Sequence, residues 1–114
     1  MSSQYLEDTL SGSTSDIHRA LASLQEELEA VDYYQQRGER TEDPQLRELL
    51  SHNRKEEIEH AAMLFEWLRR NAPDFDEIMK QYLFTEQDLT DLEHADKADD
   101  TSAATGDLGL GNLK

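Results

Sequence analysis

The chain has 114 residues, only 36% of them hydrophobic, which fits one small domain with so little apolar surface that self-association is expected. Its 26 acidic against 11 basic side chains, a formal charge of −15, argue against nucleic acid or an anionic membrane as partner and favour dissolved cations. With no cysteine, disulfides, thiolate metal sites and cysteine nucleophiles are excluded together, so any metal site must use oxygen and nitrogen ligands.

The opening "MSSQYLEDTL" lacks the basic start and apolar run of a signal peptide, and no stretch is long enough in apolar residues to span a bilayer. A cytoplasmic protein is therefore expected. Residues 1–12 read as a flexible lead-in, and a helix begins at "STSDIHRAL", where Ser13 and Asp16 have capping-box spacing. Ile17, Leu21, Leu24, Leu28 and Val31 continue it to about Arg37, with Gly38 as its stop. Asp43 followed by Pro44 reads as an N-cap with proline in the first helical position. The second helix runs to about Arg70, where Pro73 disfavours helix just before itself. The short connection makes the two an antiparallel hairpin. Asp74 and Glu77 mark a third, shorter helix, and Thr85 and Asp88 repeat the capping signal before Leu89 and Leu92. The helical domain is thus expected over 13–94, followed by a disordered acidic linker over 95–105 and a distinct peptide over 106–114. The fold class is all-α: a two-helix hairpin plus a short C-terminal helix. Because one hairpin leaves most of its apolar stripe wet, a dimer forming a four-helix bundle is the least the pattern requires.

The second helix has an apolar seam at Leu46, Leu50, Asn53, Glu57, His60, Leu64 and Trp67, in alternating steps of four and three. Its centre carries a carboxylate and an imidazole where leucines would pack better. Glu57 and His60 form Glu-x-x-His, which sets both on one face one turn apart, and Glu27 lies in line with Ala20 and Tyr34 beside the stripe of the first helix. A carboxylate buried alone is costly and ends up protonated, paired or metal-bound. A bland account has Glu57 and His60 hydrogen-bonded to each other or to Asn53. The sharper account rests on di-iron sites of four-helix bundles, which take one Glu from each of two helices and a Glu-x-x-His from each of the other two. This chain encodes half of such a site. Two copies would supply two each of Glu27, Glu57 and His60, and four carboxylates balance two ferrous ions.

The stretches "EELEAVDYYQQR" (26–37), "HNRKEEIEHAAMLFEWLRR" (52–70) and "YLFTE" (82–86) resemble the encapsulated ferritins, ferritin-like proteins packaged inside encapsulin shells. The resemblance covers about 17–94. It implies a ferritin-like helical hairpin whose ferroxidase centre forms between two subunits, with dimers assembling into a ring-shaped decamer. Oxidised iron would then mineralise in the shell lumen. Carried over by position, the di-iron ligands are Glu27, Glu57 and His60, with Glu57 bridging two ions per dimer. Glu26 and Glu29 match secondary acidic positions that attract or relay metal, and they could equally be solvated surface. Tyr34 matches a tyrosine near the centre, and Tyr33 stands where relatives carry tryptophan. His18, His52 and His94 are expected at the surface.

The terminal "GDLGLGNLK" alternates glycines with Leu108, Leu110 and Leu113, which suits an extended segment laid along a partner. It resembles the peptide by which cargo docks on the inner shell wall. The resulting expectation is a ferroxidase oxidising Fe(II) to Fe(III) with O2 for iron storage and detoxification inside an encapsulin nanocompartment. The alternatives are a non-catalytic helical oligomer or adaptor cargo with an incidental metal site, and the same fold holding manganese or zinc.

Overall fold

The computed structural model describes residues 6–95. The peptide expected over 106–114, and all of the 95–105 linker except Ala95, lie outside the described residues, as do residues 1–5 of the lead-in. What is described is all-α, as expected, with no strand among the described residues: α1 (Gly12–Arg40), α2 (Pro44–Asn71), α3 (Pro73–Tyr82) and α4 (89–95). None of these helices is long and apolar enough to cross a membrane. The chain divides into two compact units, with the division inside α3 after Asp76.

The first unit is the hairpin. α1 starts two residues before the expected cap: Ser11 is extended, and its hydroxyl accepts from the Thr14 N–H at 3.1 Å. Ser13 does not cap, and its expected box partner Asp16 accepts from Arg19 at 2.7 Å instead. Gly38 does not stop the helix either. α1 runs on to Arg40, and at Gly38 an added Cβ would meet the Leu50 Cβ at an ordinary van der Waals distance of 3.8 Å. The α1 C-terminus is closed instead by the Thr41 N–H donating to the Arg37 carbonyl, and by Arg47, which reaches back from α2 to the carbonyls of Gly38 and Thr41. A guanidinium here satisfies carbonyls that a left-handed glycine often serves.

α2 begins as its sequence indicates. Asp43 accepts from the N–H groups of Gln45 and Leu46, with Pro44 in the first position. It ends at Asn71, where Ala72 turns extended before Pro73. Ala20, Leu24, Ala61 and Leu68 are buried between the two helices, with Ile17, Leu21, Leu64 and Phe75 packed against them. Of the α2 side chains only Ala61 and Leu68 bury completely, while Leu50, Asn53, Glu57, His60 and Leu64 of the expected seam are half-buried and Leu46 and Trp67 are exposed. Where α2 gives way to α3, Arg69 bonds Glu66 and Asp76 while Arg70 also bonds Glu66.

In the second unit, the Leu83 N–H bonds the Met79 carbonyl and the Thr85 hydroxyl donates to the Tyr82 carbonyl at 2.7 Å, ending α3. Phe84 follows with φ 60° and a fully exposed ring. Asp88 alone caps α4, accepting from the N–H groups of Thr90 and Asp91 and from the Thr90 hydroxyl. Of the repeated signal, Thr85 thus closes one helix and Asp88 opens the next. Gln81 donates to the Leu92 carbonyl at 3.2 Å and ties α3 to α4.

Candidate metal centre

At mid-height the seam changes from apolar to polar. Glu27 follows Leu24 by one turn of α1, and Glu57 precedes Ala61 by one turn of α2, so both carboxylates are carried by the faces that bury the core. His60, one turn from Glu57, closes the group. Its Nδ1 lies 3.3 Å from the Glu27 Oε1 and 3.3 Å from the Glu57 Oε1. One ligand atom from each of the three residues lies within 4.8 Å of the other two. The side chains are 25% exposed for Glu27, 22% for Glu57 and 44% for His60, so the cluster is reachable from the imidazole side while its carboxylates are mostly covered.

The electrostatics record the crowding. The hydrogen bond with Glu57, then burial, then the Glu57 charge push the Glu27 carboxyl above its ordinary 4.5, against the opposing pull of His60. Burial works against charging His60, but its bonds to Glu27 and Glu57 and their charges outweigh it and raise the imidazole above 6.5. The group therefore holds on to protons when nothing else neutralises it, and a divalent cation would take their place. Two carboxylates and one imidazole are hard and borderline donors without sulfur, a set that suits Fe(II), Mn(II) or Zn(II).

Glu57 and His60 do bond each other, as the bland account required, but Glu27 joins them across the helix interface. Glu26 and Glu29 stand outside the cluster, exposed on α1. Glu29 accepts from the Tyr33 hydroxyl at 3.0 Å, a bond that raises the pKa of that phenol. Tyr34 is half-buried, and the Arg37 guanidinium lies 5.5 Å from the Tyr33 ring centre and 5.9 Å from that of Tyr34. His18 is half-buried and His94 exposed, while His52 is exposed and 3.9 Å from Glu56. One neighbour escaped the sequence reading. Arg54, three residues before Glu57, is half-buried, with its Nε buried and without a hydrogen-bond partner. An arginine one step of three below a seam carboxylate was the available signal.

A helical hairpin with a carboxylate–histidine cluster across its interface defines a ferritin-like protein with a candidate metal site. Residues 3–86 match the family model described as EncFtn-like, and the chain belongs to that family. It is 48% identical over 115 residues to a Thermotoga maritima protein named "Ferritin-like protein", covering 99% of this chain and 100% of that one. It is 46% identical over 117 residues to the "Encapsulated ferritin-like protein" of Rhodospirillum rubrum, covering 94% of this chain and 84% of that one. Among solved structures, a crystal structure of a Nitrosomonas europaea protein superposes with a TM-score of 0.72 at 55% identity, covering 75% of this chain and 98% of the other.

Proposed function

We propose that the protein is a ferroxidase that oxidises Fe(II) to Fe(III) with O2 at a di-iron centre shared between two subunits. The observation that carries this reading is the convergence of Glu27, Glu57 and His60 from two helices onto one small volume. One hairpin offers two carboxylates and one imidazole, half the set that carboxylate di-iron sites in four-helix bundles use. A second copy doubles it and covers the apolar side chains that the hairpin leaves exposed, among them Leu28, Ile58 and Trp67. Iron supplies the electrons, and the chain supplies charge and geometry. Glu57 is proposed as the bridging carboxylate, Glu27 and His60 as terminal ligands, Glu26 and Glu29 as acidic groups along the approach of the cation, and Tyr34 as a ring close to the centre. Assembly of such dimers into a decameric ring remains part of the same proposal.

The name of the Rhodospirillum rubrum relative supports a location inside an encapsulin shell. Residues 106–114 are proposed as the docking peptide. Burial of each of Leu108, Leu110 and Leu113 would contribute roughly 1.5–3 kcal/mol, and a nine-residue segment has few other anchors.

The deciding experiment adds Fe(II) anaerobically to purified protein and then admits air, following particle mass and Fe(III) absorbance together. Association on metal addition followed by oxidation with oxygen uptake supports the reading. Association without oxygen uptake would leave a metal-bridged oligomer or adaptor instead. Co-expression with a shell protein tests the peptide: replacing the three leucines by serine should abolish co-purification while leaving oxidation intact.

A further inference from the structure

We infer that the open groove between the end of α3 and α4 is a docking site for the chain's own terminal peptide, with Leu108 and Leu110 as the side chains it takes. The groove has a volume of about 640 Å³ and is lined by Tyr82, Leu83, Phe84, Leu89, Thr90 and Glu93. Four of the six are aromatic or aliphatic, and three of those are left open: Leu83 is 47% exposed, Leu89 62%, and the Phe84 ring fully. Clustered apolar exposure on so acidic a chain marks a contact surface.

The walls of the groove are held in place. The Leu83 N–H bonds the Met79 carbonyl and the Thr85 hydroxyl bonds the Tyr82 carbonyl, so the turn that carries Phe84 is tied on both sides. Gln81 donates to the Leu92 carbonyl and fixes α4 against the end of α3. Phe84 itself takes φ 60°, a conformation that glycine adopts freely and that strains a residue with a bulky side chain. Glycine here would remove both the strain and the exposed ring. A bound apolar segment gives the ring a use.

Where the chain goes next selects the occupant. The described residues end at Ala95, two positions after Glu93 in the groove wall. Leu108 follows Ala95 by thirteen positions, which span at most roughly 45 Å, so the peptide sets out from the groove and stays within reach of it. In an extended segment Leu108 and Leu110 fall on one side, with Gly109 and Gly111 letting the backbone approach closely, while Leu113 falls on the other. A second copy must be captured from solution, whereas a tethered peptide meets the groove at an effective concentration of millimolar order. The inference is independent of the metal site. Leucines held in the groove are withheld from other apolar surfaces, so a shell wall would have to compete for them.

The test titrates full-length chains with a fluorescein-labelled synthetic peptide, GDLGLGNLK, following anisotropy, with sedimentation velocity at each protein concentration. Replacing Leu108 and Leu110 together by serine should vacate the groove. That chain should bind the peptide at least about tenfold more tightly than wild type, whose own peptide competes at its effective concentration. Leu113→Ser should behave as wild type. Adding Phe84→Ser to the vacated chain should abolish binding with the circular dichroism unchanged, since the exposed ring supports no packing. Equal binding by wild type and the vacated chain, or no binding by either, overturns the inference. Binding that survives Phe84→Ser overturns it too, as does Leu113→Ser behaving like the vacated chain. Exclusion of the peptide by wild type that fades as an oligomer is diluted apart assigns the groove to a second copy instead. Packaging is scored separately by co-purification with the shell, so the docking-peptide reading stands or falls on its own.

Discussion

The interhelical seam is used in two ways along its length. From Ile17 to Leu24 on α1 and from Ala61 to Phe75 beyond α2, it is apolar, with Leu68 fully enclosed. At mid-height, from Glu27 on α1 and from Arg54 to His60 on α2, the same faces carry two carboxylates, an imidazole and an unpaired guanidinium nitrogen. The first region stabilises the hairpin by removing apolar surface from water. The second contributes little to folding, because each charged group brought out of water must be offset by its neighbours. Stability and metal chemistry thereby fall to adjoining stretches of one seam. They can be altered one at a time.

The largest expected effect is chemical. Glu57→Ala and His60→Ala should each remove most iron oxidation and at least most metal affinity, read by Fe(III) absorbance and calorimetry. The metal-free melting temperature should barely fall, since Glu57→Ala also relieves the crowding that raises the Glu27 pKa. A large loss of metal-free stability in both variants would show that the two regions are not separable.

Leu68→Ala reverses the pattern. Truncating the fully buried side chain should cost about 2–5 kcal/mol of folding stability by urea titration, with metal affinity retained by the folded fraction. Smaller again is Asp43→Ala, which frees the Gln45 and Leu46 N–H groups at the start of α2 and should cost about 1 kcal/mol in the same titration.

The smallest effect is confined to acid. Hydrogen bonds from Arg69 first and Arg70 second hold the Glu66 carboxyl down to about 2 from 4.5. A depressed folded pKa means that the stabilisation is fully present above 4.5 and is lost as pH falls through about 2. The difference in melting temperature between wild type and Glu66→Gln should therefore shrink from pH 5 towards pH 2, and it should be small throughout because these side chains are largely solvated. A difference independent of pH would show that the carboxylate contributes through packing alone.

Much of this was legible beforehand, for identifiable reasons. The Asp43–Pro44 start and the Pro73 stop are local chemistry, in which a side chain meets its own backbone within a few residues, so the pattern of residue types suffices. Glu-x-x-His needs only the helical period to bring Glu57 and His60 together, and their bond through Nδ1 follows from that spacing. Less was legible where two local solutions competed. Ser11 rather than Ser13 caps α1, and Gly38 stays inside a helix whose last carbonyls are met by the Thr41 N–H and by Arg47. The complete burial of Ala61 and Leu68, beside the half-buried Leu50, Glu57 and Leu64, likewise depends on how α2 packs against α1.

The sequence by itself thus determined the helices, the hairpin, the acidic surface and the identity of three residues able to bind a cation, because each depends on the period of one helix or on composition. Only the tertiary structure decided that the Glu27 Oε1 meets the His60 Nδ1 at 3.3 Å, and that the Arg54 Nε is buried without a hydrogen-bond partner. Those facts depend on the register between two helices. Register is set by the sum of many contacts along the seam, with Gly38 on Leu50 at one end and Leu68 enclosed at the other, and no short stretch of sequence contains that sum.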